Sequence, residues 1–132
     1  MITANDVVFL SGPMTGIEDY NYPAFDEAAK ALRAKGFLVL NPAEHVSSPD
    51  APWNELIRRS LDILLRTNKM AVLPGWENSR GAVTEVTIAN VLGIPIHEYP
   101  SLEPLQTQTM LSTCEGKIFQ CMGMVTVLTT AK

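Results

Sequence analysis

Four short apolar runs, at 7–10, 37–40, 70–73 and more weakly 94–96, alternate with longer segments of mixed character. Each run is continuous and rich in aliphatic residues, and the first is soon followed by a Gly-Pro pair. Uninterrupted runs of this length are typical of strands that are buried on both faces of a sheet. The pattern therefore predicts four strands of one type.

Helical periodicity fills the intervals between these runs. From Phe25, apolar residues recur at i, i+3, i+4 and i+7, with Pro23 in the first turn and Gly36 placed to end the helix. Helices are also predicted over 53–66 and 81–92. This alternation predicts an α/β fold, a Rossmann-like three-layer sandwich with a parallel sheet of four to five strands.

The loops that follow the strands are the places where such a fold binds ligands. Ligands of parallel sheets lie outside the carboxyl ends of the strands, which points to the loops after Leu10, Leu40 and Leu73. The second of these loops leads into a polar, proline-punctuated segment at 43–52. A lid and a plain connection are both open interpretations of that segment.

Composition and charge narrow the class of protein. With 132 residues, 46% of them apolar and 18% charged, the chain is expected to form one folded domain. A net charge of −4 gives no basic footprint, so duplex nucleic acid and membrane surfaces are not predicted partners. No signal-peptide pattern opens the sequence and no apolar run approaches the roughly 20 residues of a membrane span. A soluble, cytoplasmic protein is predicted.

The end of the chain differs from the rest. We divide the sequence into a domain at 1–100 and a tail at 101–132, because the stretch after Pro100 is polar and aperiodic. Within the tail, 116–130 is rich in Val, Thr and Met, which is compatible with a fifth strand or an oligomer contact. The two cysteines, Cys114 and Cys121, lack an accompanying histidine pair, so free thiols and no metal site are expected.

One carboxylate lies on the apolar side of its predicted helix. At 100° per residue, Glu85 falls in the middle of the apolar face of the third predicted helix. Burying an ionised carboxylate is costly unless it is paired, neutralised or placed at the mouth of a pocket. A structural glutamate satisfied by backbone amides or an arginine is one interpretation. A functional carboxylate tuned by its surroundings is the other, and the one we favour.

Ser79 and Gly81 stand at the predicted start of the same helix. Serine is a favoured N-cap, and the free amides of a first helical turn, together with the helix dipole, also bind anions. Both interpretations remain open for Ser79. A phosphate at this point and a sugar carbon near Glu85 would together span one nucleotide.

A loop with two glycines follows the first strand. Because glycines let a ligand approach the backbone closely, its candidate binding residues are Ser11, Gly12, Pro13, Met14 and Gly16. The loop has neither the G-x-G-x-x-G pattern of dinucleotide sites nor that of a P-loop. No NAD or ATP chemistry, and no cofactor, is predicted.

Two further residues complete the candidate binding set. Trp76 is suited to stacking on a base, although ordinary packing explains it equally well. Arg80 is suited to assisting an anion, and a solvated arginine is the alternative. His45 and His97 are isolated in the sequence and are expected to have no function.

Taken together, these segments resemble a known family. The sequence FLSGP at 9–13, the motif G-W-x-x-S-x-G-A-x-x-E from Gly75 to Glu85, and Gly93 after it resemble the nucleoside 2-deoxyribosyltransferase-like superfamily. The resemblance is greatest to an uncharacterised phage and bacterial branch of that superfamily. It covers about residues 6–100 and leaves the tail outside.

The resemblance implies a flavodoxin-like fold and a homo-oligomer, dimeric or higher, whose sites lie near subunit contacts. It implies chemistry at the N-glycosidic bond of 2′-deoxynucleosides or their 5′-monophosphates, with a nucleoside or nucleotide as the small-molecule partner. Glu85 matches the nucleophile of the transferases. Ser79 matches the serine that binds the 5′-phosphate in the monophosphate N-hydrolases. A phage-encoded chain would act in the host cytoplasm.

Two positions depart from the pattern of the superfamily. Its members typically carry an acid in the middle helix, which assists protonation of the leaving base, and another acid just before the third strand. Ser60 and Asn68 stand at these positions here, while Asp62 falls on the solvent side of its helix. Because general-acid catalysis contributes roughly 10²–10⁴-fold, its loss would slow the departure of the base.

These departures leave several hypotheses for function. The favoured one is an N-glycosidic bond enzyme, a hydrolase or a transferase, that is slow or that borrows an acid from a neighbouring subunit. The alternative is a nucleotide-binding module without turnover, such as a sensor or a phage accessory protein. A pure interaction protein that uses its tail as a contact surface is the third.

Overall fold

Strands and helices alternate along the chain as the hydrophobic pattern predicts. The structure, a computed structural model, describes residues 5–45 and 50–105. Its elements are β1 (Val7–Ser11), α1 (Tyr22–Ala34), β2 (Leu38–Leu40), α2 (Trp53–Leu64), β3 (Lys69–Val72), α3 (Arg80–Val91), β4 (Ile96–Glu98) and β5 (Glu103–Pro104). The four predicted strands and three predicted helices are all present.

The strands form one sheet in the order β2-β1-β3-β4-β5. β1 pairs in parallel with both β2 and β3, and β4 pairs in parallel with β3. The chain first moves from β1 to β2 on one side and then returns to β3 on the other, so the strand order reverses between β1 and β3. This is the flavodoxin-like order, and the point of reversal is where such sheets bind ligands. The α/β prediction is confirmed.

Two features of the sheet differ from the prediction. A fifth strand, Glu103–Pro104, lies in the stretch predicted to be aperiodic, and it runs antiparallel to β4 because a tight turn joins the two. β2 was expected to be buried on both faces, yet it lies at the sheet edge and leaves Leu38 61% exposed. The possible strand at 116–130 and both cysteines lie outside the described residues, and the domain boundary at residue 100 stays a prediction.

A helical layer covers each face of the sheet. α1 packs on one face through Phe25 and Leu32 against Val8 and Leu10 of β1. α2 and α3 cover the other face, where their apolar residues meet β1, β3 and β4 (Leu64, Val83, Val86, Ala89, Phe9, Met70, Val72 and Ile96). The three layers place the amino end of α3 beside the carboxyl end of β1. Within the described ranges, no helix is long and apolar enough to cross a membrane.

Candidate functional site

A pocket opens at the carboxyl ends of β1 and β3, where the strand order reverses. It holds about 830 Å³ of space, its open mouth included. The loops after β1, β2 and β3 all contribute to its lining, with Gly12, Pro42 and Ser79 respectively. The three loops to which the sequence pointed therefore meet around one pocket.

Glu85 lines this pocket although it is only 7% exposed. Ser11, at the end of β1, donates a hydrogen bond from Oγ to Oε1 of Glu85 at 2.6 Å. Ser60, on α2, donates from Oγ to Oε2. The carboxylate is therefore held from two sides by hydroxyl groups. Backbone amides and an arginine, the partners expected for a structural glutamate, are not the partners that the structure gives it.

Burial raises the pKa of the Glu85 carboxyl from 4.5 to about 7. The cause is desolvation, which disfavours the charged form, and the hydrogen bonds from Ser11 and Ser60 offset part of it. Near neutral pH the group is therefore balanced between carboxylate and acid. A carboxyl group poised in this way suits proton transfer, and its ionised form suits nucleophilic attack.

The amino end of α3 faces the same pocket. Ser79 caps the helix, since its Oγ accepts a hydrogen bond from the Ala82 amide at 3.2 Å. Ser79, Gly81 and Ala82 all line the pocket. The cap therefore exists, and the positive end of the helix dipole is directed at the space beside Glu85.

The loop after β1 contributes part of its candidate residues to the lining. Gly12 and Met14 line the pocket, together with Thr15. Gly12 also fits against Leu73, because a Cβ added to it would lie 2.8 Å from the Leu73 Cβ. A glycine is thus required at this position by close packing as well as by access.

The other candidates in this loop do not line the pocket. Ser11 is buried and acts through its bond to Glu85. Pro13 is half-buried, and its carbonyl accepts a hydrogen bond from Asn21 Nδ2 at 2.9 Å. Gly16 is exposed and has a φ of 83°, a conformation that favours glycine. The turn, and not a ligand, explains the glycine at that position.

Trp76 and Arg80 lie outside the lining. Trp76 is 5% exposed and packs in the core beneath α3, which agrees with the packing interpretation. Arg80 places its guanidinium carbon 3.7 Å from the centroid of the Trp53 ring. Such a contact is a cation–π interaction. Arg80 is thus neither simply solvated nor inside the pocket.

Three aromatic residues that sequence reasoning missed, Tyr20, Tyr22 and Trp53, line the pocket. The rings of Tyr20 and Tyr22 lie 5.8 Å apart, and Tyr20 donates its hydroxyl proton to Asp50 Oδ1 at 3.1 Å. Trp53 begins α2, whose strongly amphipathic pattern was the available signal. The sequence gave no such signal for the two tyrosines, because residues 19–21 adopt positive φ values although none of them is a glycine.

The positions that depart from the superfamily pattern have different surroundings. Ser60 lines the pocket beside Glu85. Asn68 precedes β3 at the opposite, amino end of the sheet, where its Nδ2 donates to Asp6 Oδ1 at 3.2 Å and its Oδ1 accepts from the Val7 amide at 2.8 Å. Asp62 is exposed and pairs with Arg66. Only Ser60 therefore bears on the chemistry of the pocket.

The two histidines also have different surroundings. His45 lines the pocket, although it was expected to have no function. His97 is buried in β4, where its Nδ1 lies 3.1 Å from the Leu102 carbonyl oxygen, and burial lowers its pKa below 6.5.

Over residues 5–45 and 50–105, no group of three or more His, Cys, Asp or Glu side chains is arranged to hold a metal.

Solved structures share this fold. A 2-deoxyribosyltransferase from Bacillus psychrosaccharolyticus superposes with a TM-score of 0.59 at 14% identity, over 81% of each chain. A conserved protein from Enterococcus faecalis V583 superposes with a TM-score of 0.57 at 16% identity, over 92% of this chain and 87% of the other. At these identities the likeness shows the fold. No curated protein sequence matches the chain.

The sequence itself matches a family model over most of the described domain. That model, described as a domain of unknown function (DUF4406), covers residues 6–98, from just before β1 to the end of β4. The match thus spans the whole of β1 and of α3, which carry Ser11 and Glu85. The chain belongs to the DUF4406 family.

Proposed function

We propose that this chain cleaves the N-glycosidic bond of a 2′-deoxynucleoside or its 5′-monophosphate, with Glu85 as the nucleophile. The observation that carries the proposal is a buried carboxylate that lines a pocket and is oriented at both oxygens by serine hydroxyls. A 2-deoxyribosyltransferase has the same fold, which supports this class of reaction. Placement in the phage and bacterial branch stays a prediction.

The contacts of Glu85 suit covalent catalysis. In the proposed reaction the ionised carboxylate attacks C1′ of the sugar, the C1′–N bond breaks, and a glycosyl ester forms on Glu85. Water or a second base then takes the sugar, which makes the enzyme a hydrolase or a transferase. Ser11 and Ser60 orient the carboxylate and fix which lone pairs face the sugar. The loop from Gly12 to Thr15 would line the sugar.

The amino end of α3 is proposed to hold the 5′-phosphate. Ser79 and the first-turn amide of Gly81, which both belong to residues of the pocket lining, are the groups assigned to it, because the dipole of α3 favours an anion there. A homo-oligomer in the cytoplasm, with sites near subunit contacts, is part of the same proposal. Sizing chromatography coupled to light scattering measures its oligomeric state.

The test is release of free base from a panel of deoxynucleoside monophosphates, followed by chromatography. Base release is expected with the wild type and is expected to disappear in Glu85→Gln. Glu27→Gln, an exposed position on α1, is the matched control and should retain activity. Equal traces from wild type and Glu85→Gln at high enzyme concentration would show that the catalytic assignment is wrong.

A nucleotide-binding module without turnover is the second candidate. The observation that favours it is Ser60, which occupies Oε2 of Glu85 at the position where superfamily members carry an acid. A thermal-shift panel combined with an assay for free base separates the two candidates. Ligand at 100 times its Kd should add about 2.7 kcal/mol of stability in either case, and only the enzyme should also form product.

A further inference from the structure

Glu85 is the only carboxylate among the described residues that line the pocket. Arg59 is committed to an ion pair with Glu55. Tyr20 donates its proton to Asp50, and this contact raises its pKa above 10. Burial also raises the pKa of Tyr22. Both tyrosines are therefore poor proton donors near neutral pH. Besides Glu85 and Arg59, the remaining ionisable side chain of the described lining is His45, which is exposed.

Glu85 cannot supply a proton to the leaving base while it acts as the nucleophile proposed above. The form that attacks C1′ is the carboxylate, which has no proton to give. Both of its oxygens already accept hydrogen bonds, one from Ser11 and one from Ser60. A neutral purine or pyrimidine is a poor leaving group unless a proton reaches its ring, and such assistance is worth roughly 10²–10⁴-fold.

The rest of the lining favours a positively charged aromatic ring. Trp53, Tyr20 and Tyr22 present aromatic surface to the pocket, with Leu56 and Ile57 as apolar neighbours. Aromatic faces attract cations, most strongly where water is excluded. The buried carboxylate of Glu85 adds a negative charge on the inner side of the same space.

We infer that the substrates of this site are N-glycosides whose base carries a fixed positive charge, such as an N-alkylated purine or a pyridinium. The inference rests on the proposed function and names its substrate class. A cationic base leaves as a neutral molecule, so its departure needs no proton donor. The aromatic lining and Glu85 recognise the charge in the bound substrate.

The reaction balances without any further reagent. A lone pair of the Glu85 carboxylate forms the bond to C1′, and the electron pair of the C1′–N bond moves into the ring and neutralises its positive charge. The neutral base departs, and the sugar remains as an ester on Glu85. Water then adds at C1′, the ester bond breaks, and the products are the free sugar, the Glu85 carboxylate and one proton released to solvent.

The test uses a matched pair of substrates on the full chain. The pair is 7-methyl-2′-deoxyguanosine 5′-monophosphate and 2′-deoxyguanosine 5′-monophosphate, which differ by one methyl group and one positive charge. A second charged substrate, the 2′-deoxyriboside of nicotinamide as its 5′-monophosphate, distinguishes a pyridinium from a purine. Free base is measured by chromatography, and the rate without enzyme is subtracted.

We expect kcat/KM for at least one charged substrate to exceed that of the neutral parent by at least about 100-fold, the lower end of the contribution of a general acid. This cleavage should be lost in Glu85→Gln. Values within about threefold of each other would overturn the inference and leave the proposed function intact, since base release would still depend on Glu85. Cleavage of none of the substrates would overturn both.

A variant at Ser60 supplies an independent readout. Ser60→Asp places a second carboxyl beside Glu85, where it can donate a proton, so the ratio of kcat/KM for the neutral parent to kcat/KM for the charged substrate should rise at least about tenfold. Ser60→Ala is the control and should affect both substrates alike. His45 is exposed and belongs to the pocket lining, and His45→Gln should leave the charge preference unchanged. Selective loss of activity on the neutral parent in His45→Gln would identify His45 as the proton donor and overturn the inference.

Discussion

Replacing Glu85 by glutamine should stabilise the folded chain at alkaline pH and have little effect at acidic pH. Glutamine has nearly the same shape as a protonated glutamate, and the hydroxyls of Ser11 and Ser60 can rotate to accept or donate as the amide requires. The variant therefore removes the ionisation of a buried group while it keeps the packing. What changes is the cost of holding a negative charge away from water.

The magnitude follows from the pKa of Glu85. Its folded-state value is about 7 and its ordinary value is 4.5, and each pKa unit is worth about 1.4 kcal/mol, which gives roughly 3 kcal/mol. Between these two values the folded state keeps a proton that the unfolded state has lost, so the free energy of unfolding falls as pH rises through this window. Above it the full cost is present. Glu85→Gln escapes this cost, which corresponds to a Tm higher by roughly 10 °C.

The assay is thermal unfolding of wild type and Glu85→Gln, followed by circular dichroism from pH 5 to pH 9. The difference in Tm should be small at pH 5, grow through pH 6 and 7, and level off above pH 8. His97 titrates in both proteins and cancels in the difference. Glu27→Gln, on an exposed face of α1, should show no such growth. A difference in Tm between wild type and Glu85→Gln that is independent of pH would refute the reasoning.

Two other predictions concern stability away from Glu85. Gly12→Ala should cost about 1–3 kcal/mol by overpacking, because its Cβ would lie 2.8 Å from that of Leu73, and urea unfolding at neutral pH measures the loss; a neutral effect would mean that β1 and β3 shift apart freely. His97→Gln should flatten the fall in stability below pH 6.5, since burial lowers the pKa of His97 and the unfolded state there takes up the proton first. Urea titrations at pH 5 and pH 7 check this. An equal fall in the free energy of unfolding from pH 7 to pH 5 in wild type and variant would count against it.

The sequence predicted most of the fold because strands buried on both faces appear in it as continuous apolar runs. The runs at 7–10 and 70–73 became β1 and β3, and the helical periodicities between strands became α1, α2 and α3. β5 was missed because two residues of an edge hairpin need no apolar pattern. Leu38 was misjudged because the pattern of one strand does not reveal whether it lies at an edge.

Within the pocket, the inward direction of Glu85 was predictable because a helix imposes a fixed angle between successive residues. The partners of Glu85 were not, because Ser11 and Ser60 come from other elements and meet it only through tertiary packing. Tyr20 reaches the pocket through a left-handed backbone that no local residue preference signals. The stack of Arg80 on Trp53 depends on how α2 docks against α3.

The hydrogen bond from Ser11 to Glu85 joins residues that are 74 positions apart in the chain. It forms only after β1 and α3, with most of the chain between them, have reached their final places. Contacts of such long sequence separation close large loops and therefore form slowly compared with helices. During refolding, helical content should return first, and the environment of Glu85 should be completed only with the last docking step. Under the proposed function, recovery of nucleotide binding would therefore report the completion of folding.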